Sequence, residues 1–463
     1  MALRNLLRNR RRSSMTLLAM VLGLVAILLF GGYIKNISYG LQTGYVQLSG
    51  HLQIQRKGYF LYGTGNPAAY GIRDYEKIID AVKRDPVLAP MLVIATPTLH
   101  FGGIGGNFSA GVSRTIYVSG VIVDDQDRMR DWNDYGLRPV TKSLALSGTA
   151  PDSAVIGIGV ARVLRLCAAL KVPDCANAED DPVSASSTSR AALPDDIASL
   201  AAPEKTGAPE SAGTPTGIEI LAATPRGAPN VASVNVIRAE YQGVREVDDV
   251  YVGLHLAQAQ TLIFGKEAPR ATAIVLQLRH TDQIAPASAR LEQIFATSFK
   301  DNPLELLDYE TLNPFYGQTV SMFNAIFGFM SILIGAVVLF TIGNTMSMAV
   351  FERTVEIGTV RALGVRRRGV RAMFLTEAIV LGVGGALLGV VIAMAVASTI
   401  NLLGLTWLPP GRIEPVSLEV RVVGEHLMMA GSVVGLVVVA SLSAILPAAR
   451  ASRMNIVDAL RHV

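Results

Sequence analysis

Four stretches of the chain carry no charged residue: Met15 to Ile34, Thr319 to Val350, Ala378 to Ile400 and Leu427 to Ala449. A helix rises about 1.5 Å per residue and a hydrocarbon core is about 30 Å thick, so each stretch is long enough to span a membrane. The second belongs to a longer uncharged run, Thr311 to Phe351. That run exceeds what a bilayer requires, so its start is expected to project as a stalk after a break at Asn313-Pro314, a mechanical link from an outer domain to the inner surface.

Between the first two stretches the pattern changes. Val46, Leu48, Leu52 and Ile54 alternate around Ser49-Gly50, which predicts a bulged strand over Tyr45 to Gln55. Tyr75, Ile78, Ile79 and Val82 recur at helical spacing, which predicts a helix from Asp74 to Arg84, stopped at Asp85-Pro86. Further strands are predicted at 91–96, 115–123, 154–158, 233–241, 249–252 and 272–278, and helices at 159–170, 255–263 and 287–299. The mixture implies an α+β domain, with room for two subdomains. Asn177 to Pro215 is dominated by Ala, Ser, Pro, Thr and acids, and cannot bury enough surface to offset its ordering entropy. A disordered insertion is expected there.

The fold class is therefore a membrane protein with four transmembrane α-helices and a large α+β extracytoplasmic domain between helices one and two. The expected order is an amphipathic N-terminal helix (1–14), a first span (15–35), the α+β domain (36–317), a second span with its stalk (318–350), a charged loop (351–377), a third span (378–400), an outer loop (401–426), a fourth span (427–449) and a tail (450–463). In the N-terminal segment Leu3, Leu6 and Leu7 oppose Arg4, Arg8 and Arg11, the pattern of an interfacial helix bending into the span near Ser13-Ser14. A plain basic anchor is the alternative. The first apolar stretch could also be a secretory h-region, but its length and the lack of a small-x-small site favour a retained helix.

Charge sets the expected orientation. Arginines cluster at the N-terminus (Arg4, Arg8, Arg10, Arg11, Arg12), in the loop after the second span (Arg353, Arg361, Arg366, Arg367, Arg368, Arg371) and in the tail (Arg450, Arg453, Arg461), whereas residues 36–317 hold 24 basic and 30 acidic residues. Basic flanks stay on the cytoplasmic side, which is expected to place both termini and that loop on the cytoplasmic face. The net charge of +4 averages two opposite regions, and with topology accounting for the arginines, a nucleic-acid partner is not expected.

Motifs for catalysis are missing. There is no Gly-x-x-x-x-Gly-Lys-Ser/Thr, Gly-x-Ser-x-Gly or His-Glu-x-x-His. The glycines of Gly102-Gly103-Ile-Gly105-Gly106 read as a flexible loop, and His51, His100, His255 and His280 stand isolated. No catalytic, cofactor-binding or metal-binding residue is assigned. Cys167 and Cys175 are the only cysteines; a local disulfide, two free thiols and a metal site all remain open, the disulfide fitting an oxidising compartment. Gly385 and Gly389 make a small-xxx-small face for close helix packing, and Trp407 is a candidate interfacial anchor.

The charged loop remains. Glu352, Arg353 and Glu356 lie within one turn, Ile357, Gly358, Arg361 and Ala362 follow, and Gly364 can end a short helix in a left-handed conformation. Such a helix is a docking element; a solvated basic loop is the alternative. The run Glu352-Arg-x-x-Glu356-Ile-Gly358-x-x-Arg361-Ala-x-Gly364, then Phe374-Leu-Thr-Glu377 and a glycine-rich helix, resembles the permease signature of the MacB/LolCE/FtsX superfamily of ABC transporters. The closing run Pro447 to Arg461 is similar to that family's final motif, departing at Ile456, where members commonly have proline. The start of the outer domain resembles the lipoprotein-releasing LolC/LolE branch.

The resemblance implies a non-enzymatic permease that dimerises with a second copy or a paralogue and docks a cytoplasmic ATPase dimer through a coupling helix at 352–363. ATP and magnesium would sit on that ATPase and no cofactor on this chain. Closure of the ATPases would be transmitted along the second helix, moving a lipoprotein or lipidic substrate, with membrane lipids and a periplasmic chaperone or adaptor as further partners. A MacB-like efflux permease and an FtsX-like regulator of a cell-wall hydrolase are the rival expectations.

Overall fold

The protein is described here by a computed structural model covering residues 10–137, 144–173, 175, 216–243, 245–408 and 416–455. The expected insertion at 177–215, most of the N-terminal amphipathic segment and Ile456 lie outside the described residues. The chain divides into a sheet unit centred on Gln42–Pro314 and a membrane unit holding the long apolar helices.

Helix α1 (Arg10–Ser49) is unbroken at Ser13-Ser14 and runs past the first apolar stretch. This corrects the strand expected over Tyr45 to Gln55: only Leu52–Arg56 (β1) is extended. The apparent alternation misled because Val46 is fully buried while Leu48 is 65% exposed, as a helix and not one strand face would place them. Three carboxamides supply donors to carbonyls in the helix's last turn, where Val46 O also accepts the Gly50 N–H at 3.0 Å. Gln277 Nε2 donates to Val46 O at 3.3 Å, Gln126 Nε2 to Gln47 O at 3.1 Å and Gln53 Nε2 to Ser49 O at 3.0 Å. Gly50 (φ 71°) then turns the chain in the left-handed region, where a Cβ would lie 2.5 Å from Val275.

The sheet unit continues with α2 (Tyr75–Arg84), β2 (Leu92–Asn107), β3 (Val112–Val121), α3 (Val123–Arg130), β4 (Ser153–Gly157), α4 (Ile158–Val163), β5 (Gly217–Ala223), β6 (Pro229–Glu240), β7 (Tyr251–His255), α5 (Leu256–Phe264), β8 (Ala273–Leu278), α6 (Ile284–Ser298) and β9 (Leu304–Asp308). The strands form one mixed sheet in the order β3-β7-β4-β6-β5-β2-β8-β1-β9, with β2 also pairing to β3. That extra pairing closes β2, β3, β7, β4, β6 and β5 into a ring. Leu99, Phe101, Ile116, Val118, Ile156, Ile220 and Leu254 belong to its buried core. A separate core joins β1 and β8 to α2 and α6 through Leu52, Ile54, Ile78, Val82, Ile274 and Leu291.

Ring closure overturns the loop expected at Gly102 to Gly106. These residues are strand, all paired to β3 on one side and Gly103 to Gly106 also to β5 on the other. A Cβ on Gly103 would lie 2.7 Å from Leu221 O, so glycine there permits close strand approach and not flexibility. Two expected strands were also too short: β2 extends to Asn107 and β6 begins at Pro229. Cys167 and Cys175 are joined by a disulfide across the turn in which Val172 N–H donates to Cys167 O at 3.0 Å.

The membrane unit contains α1 up to Leu41, α7 (Pro314–Glu352), α8 (Thr354–Ala362), α9 (Arg367–Leu403), a small hairpin of β10 (Thr406–Trp407) and β11 (Val416–Ser417), and α10 (His426–Arg453). Helices α1, α7, α9 and α10 are long and apolar enough to cross a membrane. Met20, Leu24 and Leu28 of α1 share a core with Ile342 and Met346 of α7, Ala386 and Ala393 of α9, and Ala440 and Ala444 of α10. Small residues permit this approach: a Cβ on Gly385 would lie 3.1 Å from Met20 and one on Gly389 2.9 Å from Leu24. Their contact face is thus α1 of the same chain. Thr16 Oγ1 donates to Thr345 Oγ1 at 3.1 Å between α1 and α7.

In the sheet unit Asp85 accepts Arg290 Nη2 at 2.7 Å and Nε at 3.0 Å, and the Val87 and Leu88 N–H groups at 3.0 and 3.1 Å. The Arg290 hydrogen bonds hold its carboxyl below the usual carboxylate range. A depressed folded value stabilises the fold fully above the unfolded value of about 3.9, and the contribution is lost as pH falls through the folded value. Thermal melts of the full chain should therefore show Asp85→Asn clearly less stable than wild type at pH 6, with the gap closing below about pH 4.

Candidate functional site

Helix α8 lies between α7 and α9. Thr354 Oγ1 donates to Val350 O at 3.1 Å and Phe351 O at 2.7 Å, tying its first residue back to the end of α7. At its far end Gly364 adopts φ 95°. Gly364 N–H donates to Arg361 O at 3.0 Å and Val365 N–H to Val360 O at 3.3 Å, the paired bonds of a Schellman stop. The chain then turns directly into α9.

The inward side of α8 is fixed by an apolar core and an ion pair. Ile357 packs with Val350 of α7, Val370 and Phe374 of α9, and Ala448 and Ala451 of α10. Arg353 Nη1 donates to Glu377 Oε2 at 3.2 Å and Oε1 at 3.5 Å, both side chains being about 95% buried. Arg361 donates to the Met454 carbonyl, and Arg371 Nε to Ser452 Oγ at 3.0 Å, so α10 closes the other side.

This arrangement divides the expected coupling residues. Arg353, Ile357 and Gly358 are buried in the chain's own fold, so they brace the helix and do not form an outer contact face. Glu352 is the exposed last residue of α7. Glu356, Thr359, Val360, Ala362, Leu363 and Gly364 are exposed, with Leu363 81% and Val355 46% open. Val355 and Leu363 escaped the motif reading because their side chains are ordinary apolar ones; only the helix phase shows that they share the outer side. Glu377 carried a signal, being the acid that opens an otherwise uncharged span.

The histidines do not converge on one site. Burial pushes His51 and His100 down to about 4, keeping both neutral. His51 Nδ1 accepts the Leu278 N–H at 3.0 Å, and His100 stacks on Tyr117 at 5.6 Å. His280 meets Asp134 at 2.7 Å on the surface. Among the described residues no group of three or more His, Cys, Asp or Glu side chains is placed to hold a metal ion.

Residues 328–456 match the family of FtsX-like permease C-terminal domains, which covers α7 from its middle, α8, α9 and α10. The membrane unit carries an FtsX-like permease domain. The chain is 29% identical over 209 residues to the ABC transporter permease YvrN of Bacillus subtilis, covering 43% of this chain and 46% of that protein. It is 31% identical over 140 residues to the ABC transporter permease YtrF of the same organism, covering 29% and 31%. It is 36% identical over 134 residues to the macrolide export ATP-binding/permease protein MacB of Nitrobacter winogradskyi, covering 28% and 18%. The chain thus spans less than half the length of these curated relatives. Over these residues the chain is similar to permeases of the MacB/FtsX type.

Removing one member of a buried ion pair leaves the other uncompensated, which costs about 3 to 5 kcal/mol. Arg353→Met or Glu377→Met alone should therefore destabilise the membrane unit by about that much, whereas the double variant, leaving no lone charge, should recover most of the loss. Thermal unfolding of the purified full chain in one detergent checks both.

Proposed function

We propose that this chain is the permease subunit of an ABC transporter and that α8 is its coupling helix, docking a separate cytoplasmic ATPase. One observation carries the reading. A helix of only nine residues is locked on its inner side by the Arg353–Glu377 pair and the Phe374 core, yet presents Val355, Glu356, Val360 and Leu363 outward. An apolar strip with a single acid, held rigidly, suits capture by a groove on another protein, since little ordering entropy remains to be lost on binding. The basic loop and tail support a cytoplasmic α8 and an extracytoplasmic sheet domain in a bacterial inner membrane.

The subunit works as a dimer with a second copy or paralogue. On α7, Phe329, Ile332 and Phe340 are 66%, 75% and 75% exposed, which suits contact with another helix or with lipid. The ATPase supplies the nucleotide chemistry, and its closure drives rearrangement of the outer domain to extract or export a lipoprotein or other lipidic substrate. The relative named as a macrolide exporter favours a second reading, efflux together with an outer adaptor.

Glu356→Lys and Leu363→Asp, both at exposed positions, should leave the chain folded and inserted but reduce co-purification of its ATPase at least tenfold. The complex's ATP turnover should fall with it. Full retention of both in either variant would mean that α8 is not the docking element.

A further inference from the structure

The last turns of α1, residues 42–49, belong to the sheet unit, and one buried histidine closes their attachment within it. His51 is fully buried where the chain passes from α1 into β1. Its N–H donates to Leu276 O at 2.9 Å and its carbonyl accepts the Tyr309 N–H at 3.1 Å, so backbone on both sides fixes the ring's place. The ring stands nearly perpendicular to Trp132, with centres 4.8 Å apart. Trp132 Nε1 donates to Arg279 O at 3.0 Å, and Tyr135 Oη donates to Gln42 Oε1 at 2.8 Å. Gln47 Nε2 reaches the Arg130 and Trp132 carbonyls, each at 2.8 Å. These contacts run without a gap from α1 through residues 130–135 to the end of β8.

The arrangement requires a neutral His51. Nδ1 accepts the Leu278 N–H at 3.0 Å, so the ring's proton lies on Nε2, 3.4 Å from Thr281 Oγ1, which in turn stands 3.3 Å from Tyr135 Oη. A second proton would occupy Nδ1 and set two donors against each other. It would also place a charge in a fully buried site, and burial lowers the ring's pKa to about 4. Asp134 opposes that shift, but its carboxylate already accepts the Thr281 N–H at 3.2 Å and meets His280 Nδ1 at 2.7 Å. The other titratable neighbours are turned elsewhere. Burial keeps the Tyr135 phenol protonated, Arg279 Nε donates to Pro90 O at 2.9 Å, and Asp282 is exposed. Beside Tyr309, Asp308 caps the Thr311 N–H at 2.8 Å and Glu310 accepts Tyr309 Oη at 3.1 Å, while α1 presents the uncharged Gln42 and Gln47.

We propose that this network is an acid-sensitive latch: protonation of His51 frees residues 42–52 from residues 130–135 and the end of β8, loosening the sheet unit's hold on the end of α1. A histidine whose folded value lies below its unfolded value of about 6.5 favours the fold fully above that pH. The contribution is lost as pH falls toward the folded value, so the latch is closed near neutrality and opens in an acidified compartment. It is independent of ATPase docking and of the identity of the substrate.

Hydrogen exchange of the full chain in detergent, read by mass spectrometry with labelling times scaled for the intrinsic rate, tests this in peptides covering residues 42–52 and 275–281. Between about pH 7.5 and pH 5 wild-type protection there should fall about thirtyfold, the ratio that linkage sets from the two His51 values, while peptides of α8 and β4 keep theirs. His51→Asn keeps an acceptor for the Leu278 N–H without a titrating ring and should remove the fall. His280→Gln, which takes away the exposed histidine on Asp134, should retain it. Unchanged protection in wild type, the same fall in His51→Asn, or its loss in His280→Gln would each overturn the latch. Should His51→Asn fail to fold near pH 7.5, as its melting temperature would show, the wild-type and His280→Gln series decide. ATPase co-purification near pH 7.5 should be unchanged in His51→Asn, which separates the latch from the coupling surface.

Discussion

The buried pair of Arg353 and Glu377 is the constraint on which the membrane unit's charged end depends. Placing two ions where each is about 95% buried removes both from water, a penalty recovered only when geometry and surroundings are well matched. Here the pair joins the end of α7 to the first turns of α9 across 24 residues of sequence, with α8 folded in between. Its value is geometric. With Phe374 fully buried beneath it, the pair gives α8 a single orientation, so the outward strip is presented ready-made. Thr354 at one end and the Gly364 stop at the other keep the helix short.

The same principle recurs in the rest of the chain. Where backbone must pass close to backbone, glycine or a carboxamide makes it possible. Gly103 permits closure of the strand ring, and Gly385 and Gly389 bring α9 against α1. Gln53, Gln126 and Gln277 donate to carbonyls in the last turn of α1. None of these residues has chemistry of its own to perform, and each fixes the position of an element that does.

How much of this was legible in the sequence depended on the range of the interaction. The four spans were plain because an uncharged run of sufficient length has few alternatives, and helix α2 because Tyr75, Ile78, Ile79 and Val82 repeat over about two turns. Gly364 was readable as a helix stop for the same local reason. What failed was non-local. The carbonyls of Val46 and Gln47 meet glutamines some two hundred and thirty and some eighty residues away, partners that the local alternation does not reveal. The glycine run resembled a loop until two partner strands were in place. At the candidate site, the motif residues were the correct neighbourhood but mixed two roles, because a pattern of residue types does not reveal which side of α8 faces Phe374. Val355 and Leu363, which carry no charge or motif, become visible only with the helix phase fixed.

On the proposed reading the outer side of α8, and not its inner side, meets the ATPase. Single cysteines at Leu363 and Ile357, in a background where the native Cys167–Cys175 disulfide is intact, can be tested for cross-linking to the co-expressed ATPase by a short thiol-to-amine reagent. Cross-linking from Leu363→Cys, with none from Ile357→Cys, is the predicted result. Equal cross-linking from both positions, or none from Leu363→Cys in a complex that still co-purifies, would contradict it.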